Sequence, residues 1–357
     1  MRKLITFCMA SISIILAMLV RAAEEPQEDP AVAAARKRQA SIKTLDVKFK
    51  HIETYAKGAV SDASRFNPNP PTPVPPEDMT VESINRIVID GEKIRLEDNH
   101  PGWYDRGKDT YKRSRLSTFD GRTGQFLIES DYSGKKAMMG GITNEVPWDV
   151  DMPSLIPFFM SVCGLNKAFS PRTLGRLRPT GKIEKIGENS CERYTLTGNG
   201  GSRMESWLDP KSDYCSVRIR QESNGKVIWL CDIVNSGDEM HGWLPHSWVY
   251  QENSWKGKLF VTHKIEIVEM KINEPQPAEI FIVQFPAGCR VQDQRTRPIM
   301  DYVAEPDGSL REFDFASDAP PPTRKSWYPP TIWLASAFGL ILLVVLAIVI
   351  VRRSSAR

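Results

Sequence analysis

The chain has 357 residues, a formal net charge of +3 at pH 7 and 25% charged residues. A balance so close to neutrality excludes a strongly basic nucleic-acid binder and gives no basis for an acidic polymer as partner. About 300 residues lie between two apolar termini, which is enough for one large or two small domains with a hydrophobic core.

The first apolar segment follows Arg2 and Lys3 and extends from Leu4 to Val20. A basic start, an apolar stretch and the small residue Ala22 are typical of a secretion signal, so we interpret residues 1–23 as a cleaved signal peptide. An uncleaved membrane anchor is the alternative, because the apolar run is longer than that of most signals.

The last apolar segment, Thr331–Val351, is free of charge over 21 residues. A helix rises ~1.5 Å per residue, so this segment can span a ~30 Å hydrocarbon layer. The arginines after it predict a cytoplasmic C-terminus, and hence a single-pass inner-membrane protein whose main domain faces the periplasm. The expected parts are a signal peptide (1–23), an extracytoplasmic domain (24–318), a proline-rich linker (319–330), the membrane helix (331–351) and a cytoplasmic tail (352–357).

The extracytoplasmic part begins with a helix and continues into a sheet. Pro30 is suited to the first turn of a helix that we predict over Ala31–Ser41. Leu45, Val47 and Phe49 then alternate with polar residues, which indicates a half-buried strand. The proline-rich run from Asn67 to Pro76 cannot join a sheet and is predicted to be a surface loop.

Two hairpins are predicted from their turn dipeptides. Asp90-Gly91 as the two central residues would place Ile87 opposite Ile94. Asn224-Gly225 would place Ile219 on one face with Leu230, and Arg218 opposite Cys231. Four further strands are predicted at Glu192–Thr197, Met204–Leu208, Trp243–Tyr250 and Leu259–Met270.

The second hairpin register would put Cys215 and Cys231 on opposite faces, so we expect no disulfide bond between these two residues. A second helix, buried over the sheet, is predicted within Pro153–Phe169 from the spacing of Phe158, Phe159 and Val162. The fold class is therefore mainly β (α+β), with a curved antiparallel sheet around helices and one C-terminal transmembrane helix.

Motifs for catalysis or metal binding are not found in the sequence. The five histidines show neither HxxxH nor HxH spacing, and no HExxH, GxSxG, GxGxxG or Walker loop occurs. His263 shares a strand face with Val261 and Ile265, where a hydrogen-bonded core histidine is favoured over a ligand. We expect no catalytic residue, no metal and no cofactor, and an envelope hydrolase is the least favoured class of function.

Several segments carry a resemblance to a known family. The stretches "SIKTLDVKFKH", "IVIDGEKIRLE" and "MESWLDPKSDYCSVRIRQ" resemble the outer-membrane lipoprotein carrier family, the LolA-like proteins. The segment "FPAGCRVQDQ" is similar to exported, LolA-like proteins of planctomycete-type bacteria. The resemblance implies a half-barrel that holds helices against its concave face, with an apolar cavity between them that accepts acyl chains.

A carrier has to diffuse between two membranes, whereas the predicted helix at 331–351 ties this domain to one. The expectation is therefore a membrane-tethered, non-catalytic binding domain for a lipid or an acylated protein, with no nucleic acid as partner. The alternative is a protein-interaction or structural envelope module of the stress-sensing type, whose core its own side chains fill. The candidate cavity residues are Phe49, Phe158, Phe159, Val162, Ile219 and Leu230.

Overall fold

The computed structural model describes residues 28–59, 75–105, 109–132, 135–146, 155–162, 176–238, 240–254 and 257–314. The expected signal peptide, most of the proline-rich loop, the linker and the membrane segment 331–351 lie outside these residues. None of the helices that the structure describes is both long and apolar enough to cross a bilayer. The chain divides into Met1–Arg311 and Glu312–Arg357, and the first unit holds nearly all of the described residues.

The first unit is built on one large, open, curved sheet. Its order is β16-β15-β14-β6-β5-β4-β3-β2-β1-β13-β12-β11-β10-β9-β8-β7. The strands are β1 (Thr44–Tyr55), β2 (Met79–Asp90), β3 (Lys93–Asp105), β4 (Asp109–Phe119), β5 (Gly124–Tyr132), β6 (Lys135–Thr143), β7 (Arg178–Ile186), β8 (Asn189–Thr197), β9 (Ser202–Asp209), β10 (Cys215–Ser223), β11 (Lys226–Asp238), β12 (Gly242–Asn253), β13 (Leu259–Ile272), β14 (Arg290–Asp293), β15 (Met300–Ala304) and β16 (Leu310–Glu312). The four further strands predicted from sequence are confirmed, with longer bounds.

The predicted N-terminal helix is confirmed as α1 (Pro30–Ser41). The side chain of Asp29 accepts a hydrogen bond from the backbone N–H of Ala31 (2.9 Å), which satisfies a donor that the first turn leaves open. The phenol of Tyr194 on β8 donates to the same Asp29 oxygen (3.0 Å). The start of α1 is therefore attached to β8, next to the edge strand β7.

One face of the sheet packs against α1 and a second helix, α2 (Ile156–Val162), and is called the inner face. The helices and both halves of the sheet share one buried apolar core. On β1 the alternation predicted from Leu45, Val47 and Phe49 is confirmed, since all three side chains are buried in this core. Helix α2 lies within the predicted range 153–169, of which residues 153, 154 and 163–169 are outside the described part.

The first predicted hairpin is found, but its register was wrong by two residues. Asp90 pairs with Lys93 and Ile87 pairs with Leu96, so the central turn residues are Gly91 and Glu92. Gly91 has φ +58°, and a positive φ at the first central position is the pattern of a type II′ turn. A shift of two residues leaves each side chain on its predicted face, so the inner face stays apolar here.

The second predicted hairpin has the right turn and the wrong register. Asn224 and Gly225 have φ values of 51° and 74°, as a type I′ turn requires. A β-bulge follows, so that Gln221 pairs with Trp229 and Ile219 with Cys231. A slip by one residue exchanges the two faces of the strand beyond the bulge. The four described cysteines, Cys191, Cys215, Cys231 and Cys289, are all buried free thiols.

The chain after β13 crosses to the edge of the sheet beyond β6 and packs against the face remote from the helices, called the outer face. There Val283 and Cys289 join a second apolar cluster with residues of β5 and β6. A methyl group at Gly140 would lie 2.5 Å from the ring of Phe285, so glycine permits the close approach. Strand β14 then pairs with β6 in parallel, so the sheet is not wholly antiparallel as expected.

Candidate functional site

The predicted cavity region lies where α2 packs against the inner face. Phe158 and Phe159 are 1% and 4% exposed, with ring centroids 6.3 Å apart in an edge-on arrangement. Phe49 on β1 and Ile219 on β10 are buried in the same core, although three other strands separate β1 from β10 in the sheet. Four of the six candidate residues are therefore brought together in one buried core.

The other two candidates have different outcomes. Leu230 pairs with Arg220 and Gln251, between the inner-face residues Trp229 and Cys231, and so points to the outer face. The error follows from the β-bulge, which reverses the face of every residue beyond it. Val162 is the last residue of α2, and its side chain lies outside the described part of the structure.

Helix α2 is held by one buried cation as well as by apolar contacts. Arg38 on α1 is 3% exposed and donates to the carbonyl oxygen of Ser161 on α2 (3.3 Å). It also donates to the carbonyl oxygen of Asp213 (2.5 Å), in the turn between β9 and β10. Arg38 thus joins both helices to the turn that follows the Trp-Leu-Asp-Pro sequence.

A polar cluster occupies the inner face beyond the apolar core. On β1 the side chains of His51, Glu53 and Tyr55 continue the buried alternation that begins at Leu45. His263 on β13 lies opposite Glu53, and His100 on β3 reaches the same carboxylate. Three of the five histidines in the chain therefore meet around one glutamate.

The distances within the polar cluster are short. The His51 Nε2 and His263 Nδ1 atoms are 2.9 Å apart, at hydrogen-bond distance. Glu53 Oε1 lies 3.5 Å from the first of these nitrogens and 3.6 Å from the second. The other oxygen, Oε2, accepts a hydrogen bond from the hydroxyl of Tyr55 (2.5 Å) and lies 2.8 Å from His100 Nε2.

Burial governs the protonation of these groups. It lowers the pKa of His51 to about 4, against the opposing effect of the Glu53 charge. Burial also opposes ionisation of Glu53, but the neighbouring imidazoles of His100 and His263 hold the pKa of that carboxyl well below its ordinary value. Desolvation raises the pKa of Tyr55, so the phenol remains a donor. The cluster therefore presents neutral imidazole at His51 beside a carboxylate.

Sequence reasoning missed this cluster because its members are separated along the chain. His51 and His263 are 212 residues apart, so no local spacing motif can reveal them. Two partial signals were available. His51 and Glu53 are alternate residues of β1 and so lie on the same face as the apolar residues Val47 and Phe49. His263 was correctly assigned to the face of Val261 and Ile265.

A groove of about 650 Å³ lies mainly on the outer face, near the ends of β2–β6 and beside Pro286. Its lining includes the exposed apolar side chains Ile84 and Met138. Charges of both signs surround them, among them Glu82 and Lys112. This groove contains none of the residues predicted from sequence, and its mixed lining specifies no single ligand chemistry.

No protein-family model and no curated protein matches the chain. Among solved structures, the chain is similar to an outer membrane lipoprotein-sorting protein domain from Vibrio parahaemolyticus, with 10% identity and a TM-score of 0.38, covering 70% of this chain and 95% of that one. Lower TM-scores are found for PNGF-II (0.22, 8% identity, 71% and 32% covered) and for MucB in complex with MucA(peri) (0.16, 8% identity, 69% and 100% covered). The first of these proteins belongs to the family that the sequence segments resemble, and these degrees of similarity assign no ligand or activity to the present chain.

Proposed function

We propose that this protein is a non-catalytic, membrane-tethered extracytoplasmic domain that binds an apolar or acylated ligand, such as a lipid or lipoprotein, between the inner face and α2. The carrying observation is that α2, only seven residues long, places two phenylalanines in the buried core that α1 and both halves of the sheet share. In this proposal the helix is a plug, and an acyl chain takes the place of its side chains at ~0.8 kcal/mol for each buried methylene.

If α2 is a plug, a single substitution in it should change stability and ligand affinity in opposite directions. Replacing Phe158 by Ala removes a buried ring, which should lower the free energy of unfolding by about 3 kcal/mol. The same change weakens the closed state that the ligand must displace, so apparent ligand affinity should rise, by ~10-fold or more. Stability and affinity therefore change in opposite directions.

The test uses a photoreactive fatty acid with the full-length chain in lipid nanodiscs. Crosslinks are mapped by mass spectrometry, and unlabelled fatty acid is added to establish saturation. We expect saturable labelling of inner-face peptides around Phe159 and Trp248, with a lower half-saturating concentration in Phe158→Ala. Labelling confined to residues 331–351 would contradict the proposal.

Phe281→Ala is the matched control. Phe281 is also 1% exposed, but it lies beside Lys93 on the outer face, away from α2. Its replacement should cost a comparable amount of stability. If the half-saturating concentration also falls in this variant, general loosening rather than removal of a plug explains the effect.

A structural or protein-interaction module with a self-filled core is the second candidate. The near-complete burial of Phe158, Phe159 and Trp248 favours it, because the chain's own side chains already occupy this space. In that case Phe158→Ala should lose stability without any saturable labelling of the inner face.

A further inference from the structure

We propose that His51, Glu53 and His263 form a binding site for one Zn²⁺ ion on the inner face. The three residues each offer one ligand atom, and these atoms lie within 4.8 Å of one another. Two imidazoles and one carboxylate are a ligand set that zinc uses in proteins. This site is independent of the proposed acyl-chain binding, which uses the apolar part of the same face.

The spacing of the three atoms fits a tetrahedral ion. Bonds of about 2.0–2.1 Å at tetrahedral angles place two ligand atoms about 3.3 Å apart. The observed separations are 2.9 Å between the nitrogens and 3.5 and 3.6 Å from these to Glu53 Oε1. Movements of a few tenths of an ångström would suffice, and the metal would replace the hydrogen bond between His51 and His263.

The surroundings orient the carboxylate for this role. Glu53 Oε2 is occupied by the Tyr55 hydroxyl and His100, which leaves Oε1 towards the two imidazole nitrogens. Such outer contacts fix a ligand before the metal arrives and strengthen binding. His100 and Tyr55 are therefore positioning residues in this proposal rather than ligands.

The donor set also disfavours Ca²⁺, Mg²⁺ and Cu²⁺ at this site. Ca²⁺ and Mg²⁺ require mostly oxygen ligands, whereas two of the three donors here are nitrogens. Cu²⁺ favours a square-planar or tetragonal arrangement, which three atoms at the corners of a near-equilateral triangle do not provide. Zn²⁺ accepts this triangle and leaves a fourth position for water or a ligand atom.

The test measures metal binding by the full-length chain in detergent, after removal of metals with a chelator. We expect one Zn²⁺ per chain by mass spectrometry of the metal, and X-ray absorption showing nitrogen and oxygen neighbours at about 2.0–2.1 Å. Co²⁺ in its place should give the visible absorption of a tetrahedral site. These measurements on the unmodified chain do not depend on the folding of any variant.

Variants then assign the ligands. His51→Ala and His263→Ala should each weaken Zn²⁺ binding at least ~10-fold, whereas the exposed His246→Ala should leave it unchanged. Substoichiometric, non-saturable binding by the unmodified chain would overturn the proposal. So would sulfur neighbours in the absorption spectrum, which would assign the ion to a cysteine, or full binding by folded His263→Ala.

Discussion

His51 shows how a single buried residue can make the stability of the whole sheet depend on pH. Its side chain is 7% exposed and faces Glu53, His100 and His263, with the partly buried Glu252 also on the inner face. In the folded state it resists protonation, with its pKa lowered to about 4, whereas the unfolded value is 6.5. The unfolded chain therefore binds a proton here more readily than the folded chain does.

The stability contributed by neutral His51 is present above pH 6.5 and is lost as the pH falls towards 4. Between pH 7 and pH 5 the free energy of unfolding should fall by about 2 kcal/mol from this group alone. The measurement is urea unfolding across this range with a chelator present. His51→Gln should flatten the profile, whereas exposed His246→Gln should keep the original slope.

At the residue scale, the sequence predicted which side chains are buried better than it predicted what they do. Phe49, Phe158 and Ile219 were assigned to the interior, and they lie there because apolar periodicity reports burial directly. The cluster of His51, His100 and His263 around Glu53 could not be predicted, because it depends in part on the pairing of β1 with β13 across more than half of the chain.

At the scale of elements, propensity and turn chemistry were sufficient to locate most strands but not to align them. The Asn224-Gly225 turn forms as predicted, yet the bulge beside Gln221 exchanges the faces of Leu230 and Cys231. A bulge adds one residue without leaving a clear sequence signal, so alternation counted from the turn fails beyond it.

Arg38 joins α1 to α2 and to the turn between β9 and β10 through hydrogen bonds, so its replacement should lower the free energy of unfolding. Arg38→Met keeps a long apolar stem but leaves the carbonyls of Ser161 and Asp213 without their charged donor. Loss of these buried, charge-assisted hydrogen bonds should lower the free energy of unfolding by about 3 kcal/mol. Denaturant unfolding measures the change.

Arg36→Met is the matched control for this prediction. Arg36 lies on the same helix but pairs with Glu28 at the surface, and its side chain is 65% exposed. Exposed ion pairs contribute at most ~1 kcal/mol, so this variant should remain close to the unmodified chain. Equal losses for Arg36 and Arg38 would show that the effect belongs to α1 rather than to the contacts with α2.

At the scale of the whole molecule, the sequence predicts that the sheet domain and the membrane segment are separable. The described residues end at Asp314, and the sequence predicts that Pro320, Pro321 and Pro322 begin a stiff spacer. A chain ended after residue 318 should therefore be a soluble, folded monomer by light scattering and circular dichroism. A product that is native-like only in detergent would show that the C-terminal segment packs on the domain.

The place of β1 in the sheet also determines when the protein can fold. β1 is the first strand to be synthesised, yet its two neighbours are β2 and β13. Pairing with β13 closes a loop that separates His51 from His263 by 212 residues, and contacts of such long range form slowly. Until that pairing forms, the β13-facing edge of β1 is an unpaired template for other chains. The period during which a newly made chain can aggregate therefore lasts until β13 pairs with β1, however early the N-terminal half of the chain folds.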